Sequence, residues 1–573
     1  MLEEHSGNSS KRWYADTQLI ILAIFFAALF LRMVNLGQVP FNSEEAQNAY
    51  AALSTAKGTA AGTAVSPVYE GLTALTFFLA RANPFFARFW PALAGASLAL
   101  VPLLWRHRLG ALQALLLALA LAFDPVLFTL SRQAGGAILT AVGLIWAFSF
   151  LIERKPLGLG IMLAVAWLSG AWFWISALVC VLGVGLFMLF TKERSAQHLL
   201  NQSPFRDKAF REGAIPAFLV SLALLTTAFL LNPAGLGGLA GSLAAFWQSG
   251  QGAAAVTPVT SIYRLFAYSL PVILLAIPAV TAAWKEKNPQ GQILSLLTAL
   301  LFLSLLLVRS QGTAGFALLQ CLLWPFAVVT LTKQIRLEAG QKDVALAGFF
   351  LGIGICGYLA ISANNLLNPA QTALTIGKSA IAFILGLLLL VLIFILIMMG
   401  WSLQTARKGI LSAVLLSLLA FSFSLTFLAL KATDLYPGLV WSDSNLKLSA
   451  SAQASLLREI EKTGKLEPQV SRVVITDPRL ADLRWDFRDY QRVEVSTALP
   501  ELRAPEIILS SSVDQEKVAE TYRGIAIVNP GSVNWREVPI ADLLRAAVSK
   551  KLPAESNEYY LWIRQDLMTG AIQ

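Results

Sequence analysis

Residues 31–46 read Leu31-Arg32-Met33-Val34-Asn35-Leu36-Gly37-Gln38-Val39-Pro40-Phe41-Asn42-Ser43-Glu44-Glu45-Ala46. An apolar run ends here, and an acidic pair then opens what reads as a short helix at the lipid–water boundary. Carboxylates are scarce around it. Residues 1–433 carry 27 Lys/Arg and 14 Asp/Glu, whereas residues 434–573 carry 17 and 20. The greasy region, 1–433, therefore ends near Lys431, and a tail of ordinary composition, 434–573, follows. At 56% hydrophobic and 14% charged over 573 residues, the chain departs from soluble domains and implies many membrane spans.

A span needs roughly 17–25 mostly apolar residues. Thirteen runs stand near 17–36, 85–105, 109–123, 136–153, 157–170, 171–191, 213–231, 263–284, 291–308, 314–332, 343–363, 375–400 and 409–430, the third and fifth being short. Alternate loops hold the basic residues: Lys11/Arg12, Arg106/Arg108, Arg154/Lys155, Lys192 to Arg211, Lys285/Lys287, Lys333 to Lys342 and Arg407/Lys408. The positive-inside rule makes these cytoplasmic. The N-terminus is then inside, and thirteen crossings place the tail outside the cytoplasm. No small-residue cleavage site follows the first apolar run, so it reads as a retained anchor of a multi-pass plasma (inner) membrane protein.

The net charge of +10 lies mostly in these loops, where it orients the chain and does not point to nucleic acid. Cys180, Cys321 and Cys356 all lie in apolar runs, unsuited to a disulfide or metal cluster. His5, His107 and His198 all fall on the cytoplasmic side of this topology, which argues against histidine catalysis outside.

Two outer loops are long. Residues 37–84 hold amphipathic stretches at 43–57 and 68–82, and 232–262 holds another, all suited to helices lying in the interface. In the tail, strands are expected at Val473–Thr476, Glu506–Ser510, Ile525–Asn529 and Tyr559–Ile563, with helices near 449–463, 514–522 and 540–551. The alternation predicts a small α/β domain with a largely parallel sheet.

Three motifs resemble the GT-C glycosyltransferases, nearest the protein O-mannosyltransferase and aminoarabinose-transferase type. They are Leu31-Arg32 with Glu44-Glu45-Ala46, then Arg88-Phe89-Trp90-Pro91-Ala92-Leu93-Ala94-Gly95, then Asp124-Pro125 followed by Ser131-Arg132-Gln133-Ala134. Asn232-Pro233-Ala234-Gly235 and Trp247 fit the long later loop. The tail phrases Leu483-Arg484-Trp485 and Tyr560-Leu561-Trp562-Ile563-Arg564 are similar to a prokaryotic subgroup. There are departures. Glu44 stands where Asp is usual, Ala137 where many members place a second Asp, and Ser66-Pro67 is all that represents a His-Pro-Pro-like motif.

The resemblance implies a polytopic α-helical membrane protein of GT-C type with an extracytoplasmic α/β tail. It also implies transfer of a sugar from a polyprenyl phosphate to a hydroxyl of a protein, lipid or glycan acceptor. The acceptor must lose a proton, which a positioned carboxylate can take. Glu44 is the first candidate and Glu45 the second. The leaving phosphate suits guanidinium forks. Arg132 and Arg309, each at the outer end of a span, and Arg88 are the substrate-binding candidates. No cofactor and no metal ligands are expected, though carboxylates and phosphate together would suit a divalent cation.

Plainer readings stand beside these. An acidic pair can be the wet face of an interfacial helix. Arg88 and Arg264 read more simply as snorkelling, and for Arg132 the two readings balance. Asp124 before Pro125 suits a cap. Trp172, Trp174 and Trp247 suit an aromatic belt, and the Trp and Arg of the tail suit packing. A catalytically silent scaffold is the alternative function, favoured by Ala137. A lipid-linked-sugar transporter is less supported, since repeats are not visible and charges cluster at span ends.

Overall fold

The computed structural model describes residues 2–38, 41–59, 66–190, 204–230, 232–248, 258–308, 313–335, 342–367 and 373–430; in the tail it describes 457, 460–461, 466–496, 505–511, 521–530, 542 and 556–568. Helices occupy all thirteen positions expected to span. By length and composition ten of them can cross a bilayer, or eleven when one bent pair counts as a single span. The chain is a multi-pass membrane protein. Lipid offers no hydrogen-bond partner, so each run satisfies its own backbone as a helix.

Helix α1 covers Leu2–Met33. Two short helices follow, α2 (Ser43–Ala56) and α3 (Pro67–Leu79). The second span is α4 (Pro84–Ser97), a 3-10 turn and α5 (Val101–Leu109). The third run is short because the chain breaks. Helix α6 (Ala111–Phe123) stops before Asp124-Pro125, and α7 (Pro125–Ser131) departs at 50°. Proline lacks the N–H that would continue α6. Asp124 restarts the helix, its Oδ1 accepting from the N–H of Val126 at 2.9 Å and of Leu127 at 3.0 Å.

Helices α8 (Ala137–Ile152), α9 (Pro156–Trp167) and α10 (Trp172–Phe190) come next. With 12 residues, α9 falls short of a full crossing on its own. At about 1.5 Å per residue it reaches roughly 18 Å. Six long helices complete the bundle: Lys208–Thr226, Leu270–Lys285, Pro289–Leu307, Thr313–Ile335, Lys342–Leu367 and Ala373–Gly400, followed by Ser412–Leu430 as a seventh. Gly238–Gln248 forms the helix expected in the second long loop. Small residues let the first helices close tightly: a methyl at Gly95 would collide with Ser131, bringing α4 against α7.

The tail carries a five-stranded sheet in the order β2-β1-β3-β5-β4, with β1 Arg472–Ile475, β2 Arg492–Val495, β3 Ile507–Ser510, β4 Tyr522–Pro530 and β5 Ser556–Arg564. β1 pairs with β2 and β3 in parallel, while β5 pairs with β3 and β4 antiparallel. The sheet is therefore mixed, not largely parallel. β2 was not expected, because Arg492-Val493-Glu494-Val495 is a half-exposed edge with little apolar signal. The tail helices expected from periodicity fall mostly outside the described residues.

Candidate active site

The acidic pair starts α2, and the two carboxylates part company there. Asn42 caps the helix, its Oδ1 accepting from the Glu45 N–H at 2.8 Å. Glu45 reaches back, its Oε2 accepting from the Asn42 N–H at 3.1 Å. This reciprocal box needs an acid or amide at the third helical position, which Glu45 supplies. Adjacent helical residues point about 100° apart, so Glu44 faces elsewhere and is exposed.

The inward turn brings Glu45 to Arg88 on α4. Nε of Arg88 donates to Oε1 at 2.7 Å and Nη2 to Oε2 at 2.8 Å, a bidentate pair with both side chains buried. Nη1 of Arg88 donates to the Leu36 carbonyl at 2.9 Å. The Ala134 N–H donates to Glu45 Oε1 at 2.8 Å. Glu45 thus accepts four hydrogen bonds, which fills its acceptor capacity. The Phe41 ring lies 4.6 Å from the Arg88 guanidinium carbon. Arg88 does not snorkel. It is 1% exposed, and its fork is occupied by Glu45 rather than open to a phosphate. Arg264 is also 1% exposed, against the snorkelling expectation.

Arg132 caps the end of α7. Its Nη1 donates to the carbonyls of Leu31 at 3.1 Å, Arg32 at 2.7 Å and Val34 at 2.8 Å. These carbonyls lie in the last turn of α1 and just past its end, where a cation is favoured. Its Nη2 is buried without a partner among the described residues. Arg32 lies alongside, with Nε donating to Ser131 Oγ at 2.8 Å and Nη1 to the Ala28 carbonyl at 3.2 Å. Both guanidinium groups face the Phe128 ring, at 4.9 Å and 5.8 Å. Asp124 is fully buried, and its Oδ2 accepts from Trp324 Nε1 at 2.9 Å, so the cap reading holds. Arg309 lies outside the described residues.

The structure therefore gathers Glu45, Arg88 and Arg132, with Arg32 and Asp124 added. The buried set carries three positive and two negative charges. Ala137, where the resemblance expects a second acid, begins α8 after Gly136, whose Cα packs so closely on Ser66 and Ser169 that a methyl would collide. A second half-buried acid does exist. Glu70 on α3 accepts a short hydrogen bond from the Thr55 hydroxyl. Burial raises its pKa above the ordinary 4.5, and the Thr55 bond opposes that rise. Sequence reasoning passed over it, although it is the sole charge in the apolar run Pro67–Leu79.

The tail reaches this region. The 3-10 stretch Pro478–Trp485 lays Trp485 against Phe41 and Phe77, with ring centres 5.1 Å and 5.9 Å away. Arg484 stands 5.8 Å from the Tyr50 ring, and Lys57 Nζ donates to the Arg488 carbonyl at 3.1 Å. Among the described residues, no group of three His, Cys, Asp or Glu side chains is placed to hold a metal.

These elements make a polytopic helical membrane region followed by a small sheet-containing tail. No family model and no curated protein matches the sequence. Two solved structures share the fold along nearly the whole of both chains. ArnT from Cupriavidus metallidurans bound to undecaprenyl phosphate is 13% identical, covering 97% of this chain and 98% of that one with a TM-score of 0.51. The same protein in the apo state gives 13%, 98%, 99% and 0.55. At this identity the likeness concerns the fold.

Proposed function

We propose that this protein is an integral-membrane glycosyltransferase that moves a sugar from a polyprenyl-phosphate donor to an acceptor hydroxyl on the outer face of the membrane. The observation that carries the reading is the division of the acidic pair: Glu45 is held by four hydrogen bonds, while Glu44, one residue earlier on a rigidly capped helix, is exposed. The fold shared with a protein crystallised with undecaprenyl phosphate supports a lipid-linked donor.

In this reading Glu44 takes the proton of the acceptor hydroxyl as its oxygen attacks the anomeric carbon. The bond from that carbon to the phosphate oxygen breaks, and the phosphate leaves with the electron pair. Arg132 and Arg309 balance the charge on the phosphate. The buried set carries one surplus positive charge with Arg132 included, and this favours an anion there. Glu45 and Arg88 hold the start of α2, and therefore Glu44, in place.

Purified protein should transfer sugar from a polyprenyl-phosphate donor to a hydroxyl acceptor. Glu44→Gln should slow transfer by roughly 10²–10⁴-fold with donor binding retained, the usual worth of a general base. Equal rates for both proteins would remove Glu44 from the chemistry. Failure of the unaltered protein with every such donor would favour the silent scaffold, the reading that Ala137 supports. The outward orientation of the tail is tested separately: protease reaching only the outer face should remove it, and a protected tail would reverse the topology.

A further inference from the structure

The far end of the bundle carries a second feature that the proposed reaction does not use. Arg88 lies near the start of the second span, and Arg108 lies in its last turn, 20 residues on. At about 1.5 Å per residue the two ends are roughly 30 Å apart. At the Arg108 end a cavity of about 630 Å³ opens among α8, α10 and the helices Pro289–Leu307 and Thr313–Ile335, and an adjoining one of about 420 Å³ runs from it along α10 as far as Phe173 in that helix's first turn. They share Ile145, Phe148, Leu151, Leu294, Leu297 and Leu322, so they form two lobes of one groove. The walls of the smaller lobe are almost entirely aliphatic and aromatic, and those of the larger are mostly so. The larger lobe also has Gln290 and the exposed Arg108 and Arg154 in its lining, and among the described residues no acidic side chain lines either lobe. Arg108 Nη2 reaches the Ile152 carbonyl at 3.4 Å, which holds the end of α5 beside the end of α8, while Arg154 follows that helix in a left-handed turn with φ 53°.

An apolar groove left unfilled forfeits dispersion contacts along its lining. Within a bilayer the available filler is an acyl chain. The two lobes suit two chains, and a pair of guanidinium groups at the mouth suits a phosphate. The donor lipid would leave Arg108 and Arg154 without a phosphate, since in the proposed reaction its own phosphate lies near Glu44, at the other end of these helices. We infer that this groove binds a glycerophospholipid with an anionic headgroup, the phosphate held by Arg108 and Arg154 and the chains lying along α8 and α10.

The test uses the full-length protein in detergent with equal phosphatidylglycerol and phosphatidylcholine, read by native mass spectrometry. Phosphatidylglycerol should be retained at least tenfold over phosphatidylcholine. The double variant Arg108→Gln/Arg154→Gln should retain it about tenfold to thirtyfold less, from roughly 1 kcal/mol for each basic residue near a lipid surface. Leu297→Trp, which intrudes on both lobes, should lower retention with both arginines intact. Thermal unfolding without added lipid shows whether each variant is folded; if Leu297→Trp is not, the arginine variant decides alone. Equal retention of the two lipids, or retention unchanged in the folded arginine variant, overturns the inference. So does displacement of phosphatidylglycerol by polyprenyl phosphate, which would assign the groove to the donor's tail.

Discussion

Trp485 packs edge-on against Phe41, with ring centres 5.1 Å apart and planes at 61°. The contact joins the tail to the loop that carries the acidic pair, and Phe41 in turn lies under Arg88. Trp485 belongs to the core of the membrane helices rather than to that of the sheet. Trp485→Ala should therefore loosen the tail from α2 and α3. Truncation of a buried Trp costs about 3–5 kcal/mol. Limited proteolysis should cut the tail faster in the variant than in the unaltered protein, while the sheet itself keeps its circular dichroism. Unchanged cleavage would show that the contact does not hold the tail.

The buried pair of Glu45 and Arg88 should behave very differently from Glu44. Arg88→Ala leaves a buried carboxylate without its counter-ion, and losing one partner of such a pair costs about 3–5 kcal/mol. Glu45→Gln should also destabilise, because Arg88 then loses its charge partner. Glu44→Gln, on an exposed position, should stay within about 0.5 kcal/mol. Thermal unfolding in detergent separates these outcomes. A Glu44 variant as unstable as the Glu45 variant would contradict the division of labour.

Arg132 fastens the end of α1 through three carbonyls that accept from one nitrogen. Arg132→Lys keeps the charge but cannot reproduce the planar fork. It should recover part of the stability lost in Arg132→Ala, where a buried acceptor left unpaired costs about 1–3 kcal/mol. Donor affinity, measured with the sugar-free polyprenyl phosphate, should fall in the same order. Full affinity in both variants would confine Arg132 to a structural role.

Glu70 supplies a pH signature. Its folded pKa is raised, so the folded state holds its proton more tightly than the unfolded chain does. The stability from this group is fully present below the ordinary 4.5 and is lost as pH rises through the raised value. Glu70→Gln should remove that decline, and at neutral pH it should be as stable as the unaltered protein or more so. Thr55→Val removes the hydrogen bond that favours the carboxylate, so the decline should shift to higher pH. Melting temperature against pH for the three proteins checks both statements. A decline that persists in Glu70→Gln would assign it to another group.

The sequence by itself determined the membrane architecture. A bilayer demands long apolar runs that satisfy their own backbone, and that demand is written residue by residue. The same locality made the start of α2 at Ser43 and the cap at Asp124 legible, because a cap depends on neighbours two or three residues away. The break at Asp124-Pro125 shows its limit. The sequence marked a short run, and the 50° turn into α7 appeared only once the helices packed. The site followed the same rule. Glu44 and Glu45 are chemically identical neighbours; the local capping box marks Glu45 as the one that turns back on Asn42, but does not say that it is buried. That was decided by Arg88, 43 residues away, and by the Ala134 N–H, 89 residues away. The role of Arg132, the burial of Glu70 beside Thr55, and the arginine-lined groove likewise arise where distant segments meet. Helix formation is a local bargain with the solvent, whereas burial of charge is settled by whatever the rest of the chain places opposite it.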